Sequence, residues 1–233
     1  MMAMLTQLRW QFLILHRNKL IAISILITFM YALIFFAIKD LPNVDRFLVL
    51  LIYNDPAIIG MFFIGLSVIM EKNDAVLSAL FVTPVNHHYY LISRVLALSL
   101  LGWACAVGMA VALLGPDFHW LHFSAGTFAT CMIFSLAGIF VVSYTTEFLG
   151  FMLRSIPVML LLSLPLLNYL GLTDIAFFQL TPIQGALSLI VHSFHVTDGT
   201  GPVYFHYFSL ATWIPLLYFG VYRIFIRRIV NAS

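Results

Sequence analysis

Residues 20–38 carry no charged side chain at all, and apolar stretches of this kind recur along almost the whole chain. A run of about 20 such residues matches the thickness of a bilayer's hydrocarbon core. Inside that core every backbone N–H and C=O must be satisfied locally, which leaves helices as the natural solution for segments of this length. Composition points the same way, with 63% hydrophobic and 9% charged residues, where soluble domains carry roughly a quarter charged. The 233 residues are enough for about six crossings. We therefore expect an all-α membrane protein, with residues 1–233 forming a single transmembrane domain.

Residues 4–19 space Leu5, Leu8, Phe12 and Leu15 three and four apart among Gln, Arg and His, as in an amphipathic helix lying on a membrane surface. No small-residue cleavage site follows, so a removed signal peptide is not expected. Crossings are expected at about 20–38, 47–70, 90–114, 120–146, 155–172 and 207–226. The second run contains Asn54, Asp55 and Pro56. Because a carboxylate at mid-helix is expensive in a bilayer and Pro suits a first helical turn, the favoured reading starts this crossing near Asp55 as its N-cap. The fifth run holds Pro157 and Pro165, which predicts a kinked, packed helix. Residues 173–206 are the least regular. Their apolar centre, 183–194, is too short to span and suits a re-entrant or interfacial helix before the last crossing.

With six crossings, Arg9, Arg17, Lys19, Lys72, Arg94, Arg154, Arg223, Arg227 and Arg228 fall on one side, and Lys39 and Arg46 on the other. Basic residues are retained in the cytoplasm, so both termini and the polar segment after the second span are expected there, on the inner side of a cell membrane. A net charge of +2, divided among loops, gives no reason to expect a nucleic-acid partner. Cys105 and Cys131 lie in apolar runs and read as buried hydrophobes. His119, His122, His192, His195 and His206 read as interfacial side chains rather than metal ligands, because no cysteine or carboxylate cluster completes a site. Glu147 either pairs with Arg154 across the turn before the fifth span, the favoured reading, or lines the pathway. Neither a phosphate-binding loop nor a nucleophile elbow occurs, so no catalytic residue, metal or cofactor is assigned.

The most informative polar stretch is residues 71–94. Glu71 and Lys72 stand at a membrane boundary. After them Val76, Leu77, Leu80 and Phe81 recur on one helical face, and Thr83-Pro84 breaks the chain before Tyr90, Ser93 and Arg94. These residues resemble the pattern Glu-Arg-Glu-x-Gly-Thr-Leu-x-x-Leu-x-x-Thr-Pro, followed by Tyr or Phe and then Gly/Ser-Lys/Arg, of the type-2 ABC exporter permeases. The stretch from Asp55-Pro56 to Thr83-Pro84 is similar to a bacterial subgroup described as fluoroquinolone-export permeases. The chain departs from the pattern at Asn73-Asp74-Ala75-Val76, which replaces acidic-x-Gly-Thr. The resemblance implies a permease half that pairs with a second half, as homodimer or heterodimer, and with separate ATPase subunits that bind ATP and Mg. It further implies a cytoplasmic coupling helix built from Glu71, Lys72, Leu77, Leu80, Phe81, Thr83, Pro84, Tyr90 and Arg94, and a hydrophobic or amphiphilic cargo. A haem-exporter-type subunit and a non-transporting membrane scaffold are the alternative readings.

Overall fold

Helix is the only regular structure among the described residues of the computed structural model, which are 2–38, 44–74, 87–173, 175–194 and 202–230. Leu77, Leu80, Phe81, Thr83, Pro84 and His195, and with them the expected coupling helix, lie outside these residues. Among the described residues, five helices are long and apolar enough to cross a membrane. Helix α1 (Met2–Arg17) turns its Leu8, Phe12 and Leu15 inward, as their spacing predicts, and packs on the later helices. Lys19 adopts a left-handed φ of 57° at the turn, which lets α2 (Leu20–Ile38) start at once.

The chain then forms one long span, Arg46–Asn73, made of α3 (Val44–Ile58), a π-helical stretch (Ile59–Phe63) and α4 (Ile64–Asn73). Asp55 does not cap it: the helix is continuous through Pro56, and Asp55 is fully buried within it. The physical reason lies upstream, where Leu48, Val49, Ile52 and Tyr53 form a buried stripe that the protein covers. Thr28 of α2 supplies the carboxylate with a hydrogen bond at 2.9 Å, and Tyr31 accepts one from Asn54 at 2.9 Å.

Helix α5 (His87–Leu114) follows and ends at Gly115, whose φ of 75° closes the turn that a side chain would strain. Helix α6 (Trp120–Val142) is the hub: 14 of its 23 residues are buried, against only Leu20, Ser24 and Phe35 in α2, and α3, α4, α5 and most of the later helices pack on it. Such contact requires small residues. A Cβ at Gly60 would meet the Cys131 carbonyl oxygen at 2.6 Å, and one at Gly138 would meet that of Met61 at 2.6 Å.

Helix α7 (Phe148–Ser163) starts earlier than expected and is followed, after Pro165, by α8 (Leu166–Tyr169). Arg154 therefore sits two turns into α7 and not at its start. Its Nη1 donates to the Tyr144 carbonyl at 2.5 Å, and the expected ion pair with Glu147 is absent among the described residues. The Arg154 guanidinium is committed to the Tyr144 carbonyl instead. A 3-10 turn (Ala176–Leu180) leads into α9 (Pro182–Ser193), capped by Thr181, whose hydroxyl accepts from the Gln184 N–H. Nearly all of α9 is buried between α6 and the last helix, α10 (Val203–Phe225). A final π-helical turn (Ile226–Val230) extends α10.

Candidate functional site

The two helices that flank residues 75–86 are locked together at their ends. Ser67 and Glu71 lie one turn apart on α4, and Tyr90 and Arg94 one turn apart on α5, so each pair projects from a single face. Across the gap Arg94 meets Glu71 as a fork, Nη1 to Oε2 at 2.6 Å and Nη2 to Oε1 at 3.0 Å. Tyr90 donates its hydroxyl to Glu71 Oε2 at 2.5 Å, and Arg94 donates further to the Tyr90 and Ser67 hydroxyls. Glu71 is 6% exposed and Arg94 is 2% exposed. Removing both charges from solvent is expensive, and only a bidentate geometry with its remaining donors satisfied offsets it. Here both carboxylate oxygens are engaged and the guanidinium reaches three partners.

Lys72, the next residue, goes elsewhere. Its ammonium donates to the Val142 and Thr145 carbonyls, each at 3.0 Å. Those oxygens lie at and just beyond the C-terminus of α6, where helical carbonyls lack partners and carry partial negative charge. Arg154 reaches the neighbouring Tyr144 carbonyl, and Arg228 lies over the Tyr144 ring with 5.1 Å to its centroid. Three basic side chains thus gather at one end of the bundle.

The start of α5 is also fastened to the last helix. His88 stacks on Tyr222 at 3.7 Å between ring centroids, and its Nδ1 lies 3.0 Å from the Tyr218 hydroxyl. Tyr90 stacks on Phe225 at 6.2 Å. Of the residues singled out in the sequence, Glu71, Lys72, Tyr90 and Arg94 are brought to this one end. Ser67, Tyr218 and Tyr222 escaped sequence reasoning. The four-residue spacing of Ser67 to Glu71 and of Tyr90 to Arg94 was the available signal for Ser67.

At the opposite end the histidines meet one another. His119 and His122 stand 5.7 Å apart between ring centroids, and His192 and His206 stand 5.8 Å apart. His122 Nδ1 lies 2.8 Å from the Tyr207 hydroxyl, and His192 Nδ1 lies 2.7 Å from the Ser188 carbonyl. No group of three or more His, Cys, Asp or Glu among the described residues is placed to hold a metal ion.

Residues 2–233 match the model of the fluoroquinolones export permease protein family. Two fluoroquinolones export permease proteins of Mycobacterium tuberculosis, from strains H37Rv and CDC 1551, are each 30% identical to the chain over 145 residues. The matched region is 60% of this chain and 60% of each relative's length.

Proposed function

Because the chain belongs to the fluoroquinolones export permease protein family, we propose that it is the membrane-spanning half of an ATP-driven exporter of hydrophobic or amphiphilic small molecules. ATP hydrolysis belongs to separate subunits, and a second permease half completes the pathway. The buried Glu71–Arg94–Tyr90 clamp is the observation that carries the coupling part of this reading. A segment that must pass a push into two spans needs stiff attachments. The clamp joins α4 to α5 on either side of residues 75–86, and His88 and Tyr90 extend the attachment to α10. In this role Glu71 and Arg94 hold the stems from within, while Leu77, Leu80, Phe81, Thr83 and Pro84 meet the ATPase.

The proposed topology has six crossings and cytoplasmic termini. The sixth is supplied by α7 and α8 together, residues 148–169, whose combined length of about 33 Å suffices to cross. Lys72, Arg154 and Arg228 gathering at one end supports placing that end in the cytoplasm. Helix α9 is then a re-entrant element from the outer side.

The test is ATP turnover in vesicles that hold the chain with its co-purifying ATPase, with and without amphiphilic drugs, haem or lipids. Drug-stimulated turnover that is lost when Leu80 and Phe81 are both replaced by Asp, with assembly intact, is the expected result. Turnover indifferent to those replacements would sink the coupling role.

A further inference from the structure

Asp55 is fully buried inside the span Arg46–Asn73 and has no basic partner among the described residues. Its Oδ2 accepts from Thr28, while its Oδ1 is buried without a hydrogen-bond partner. An acidic side chain held at this depth marks a partner or a pathway more often than a packing accident. Glu71, the other buried carboxylate of the same span, has its arginine. Asp55 does not.

What lies beside Asp55 suggests the missing cation. Thr28, which holds the carboxylate, is also part of the wall of an apolar cleft of about 440 Å³ between α2 and α5, lined further by Phe29, Leu101, Cys105, Gly108 and Met109. This volume lies within the roughly 300–1,000 Å³ of pockets for drug-sized molecules. Such pockets pair an apolar lining with a few polar groups that fix orientation, and here those groups are Thr28 and, one side chain behind it, Asp55. Thr28 has a single hydroxyl proton, and both the Ser24 carbonyl and Asp55 Oδ2 lie 2.9 Å from its oxygen. When that proton goes to Asp55, the oxygen's lone pairs remain to accept a hydrogen bond from the cleft. The helix here carries Pro56 and then passes into the π-helical stretch Ile59–Phe63, and such positions are where helices bend and where functional positions cluster.

We infer that this cleft binds an amphiphilic organic cation, with an apolar body between α2 and α5 and a protonated amine that donates to Thr28 Oγ1 and is neutralised by Asp55 through that hydroxyl. The inference rests on the exporter reading, since it names the ligand class of that transporter. A neutral molecule of the same shape gains the apolar contacts but not the charge. An anion is repelled.

The experiment uses the full chain in phosphatidylcholine nanodiscs, with no ATPase present, titrated with dansylcadaverine and with its N-acetylated, neutral counterpart. Wild type is expected to bind the amine about tenfold more tightly than the acetylated probe, the scale of one hydrogen bond to a charged group. Asp55→Asn, which preserves shape and can still accept from Thr28, brings the amine down to the level of the acetylated probe, and so does Thr28→Val. Gly108→Phe, whose side chain starts in open space at the cleft wall, removes both. Equal binding of the two probes by wild type overturns the inference without reference to any variant. Loss of both probes in Asp55→Asn also overturns it, and so does cross-linking of two copies through α2 with neither probe bound. The assay involves neither ATP nor transport, so its failure leaves the exporter reading standing, and failed transport in vesicles leaves the binding result intact.

Discussion

Glu71 and Lys72 are neighbours in sequence and part company in space. One closes a buried fork with Arg94, and the other covers the carbonyls at the end of α6. Removing one partner of a buried pair leaves the other charge stranded, so Arg94→Met is expected to destabilise the protein by about 3 to 5 kcal/mol. Tyr90→Phe, which deletes one hydroxyl from the same cluster, is expected to lose only about 1 kcal/mol. Thermal unfolding of purified protein in detergent measures both, and equal effects from the two would contradict the clamp. That Glu71 and Arg94 matter was legible from their place beside an unusual polar segment. That they face each other was not, because 23 residues separate them and only the return of the chain joins them. Asp55 misled in an instructive way. Next to a proline it looks like a cap, and only the neighbouring Thr28 and the covered stripe before it make a mid-helix position tolerable.

At the scale of elements, the helices differ in what their glycines do. Gly126 of α6 is pressed against α9: a Cβ there would stand 2.8 Å from the Ala186 carbonyl oxygen and 2.8 Å from the Ile190 side chain. Gly108 of α5 has nothing within 4 Å. Gly126→Val should therefore separate α9 from the hub and lower the yield of folded protein sharply. Gly108→Ala should be neutral or stabilising by up to about 1 kcal/mol, the helix propensity gained. Size-exclusion profiles and melting temperatures of the two variants provide the comparison, and a well-folded Gly126→Val would show that α9 is not held as described. Most long helices could be located from hydropathy to within a few residues, since an uninterrupted apolar run has few other fates in a bilayer. The fifth begins earlier than its hydropathy predicts, because Arg154 reads as a boundary charge, whereas the structure seats it within α7 with its guanidinium on the Tyr144 carbonyl.

For the whole molecule, the proposed six-crossing arrangement predicts opposite sides for the two ends of residues 148–169. Single Thr146→Cys and Leu172→Cys variants test this with a membrane-impermeant maleimide, in a background where Cys105 and Cys131 are both buried. Thr146→Cys should label only from the cytoplasm and Leu172→Cys only from outside; labelling of both from one side would leave five crossings. The sequence alone determined the class of the protein and its helical content, because these follow from local composition and from the bilayer's intolerance of unsatisfied backbone. It determined, through the resemblance carried by residues 55–84, the family to which the chain belongs. Tertiary structure decided which helix is the hub, that Glu71 and Arg94 form one fork, and that Asp55 lies behind an apolar cleft instead of at a helix start. Those outcomes depend on which faces meet across long stretches of chain. Nearly every face of these helices is apolar, so hydrophobic pattern does not distinguish a packing surface from a lipid-facing one.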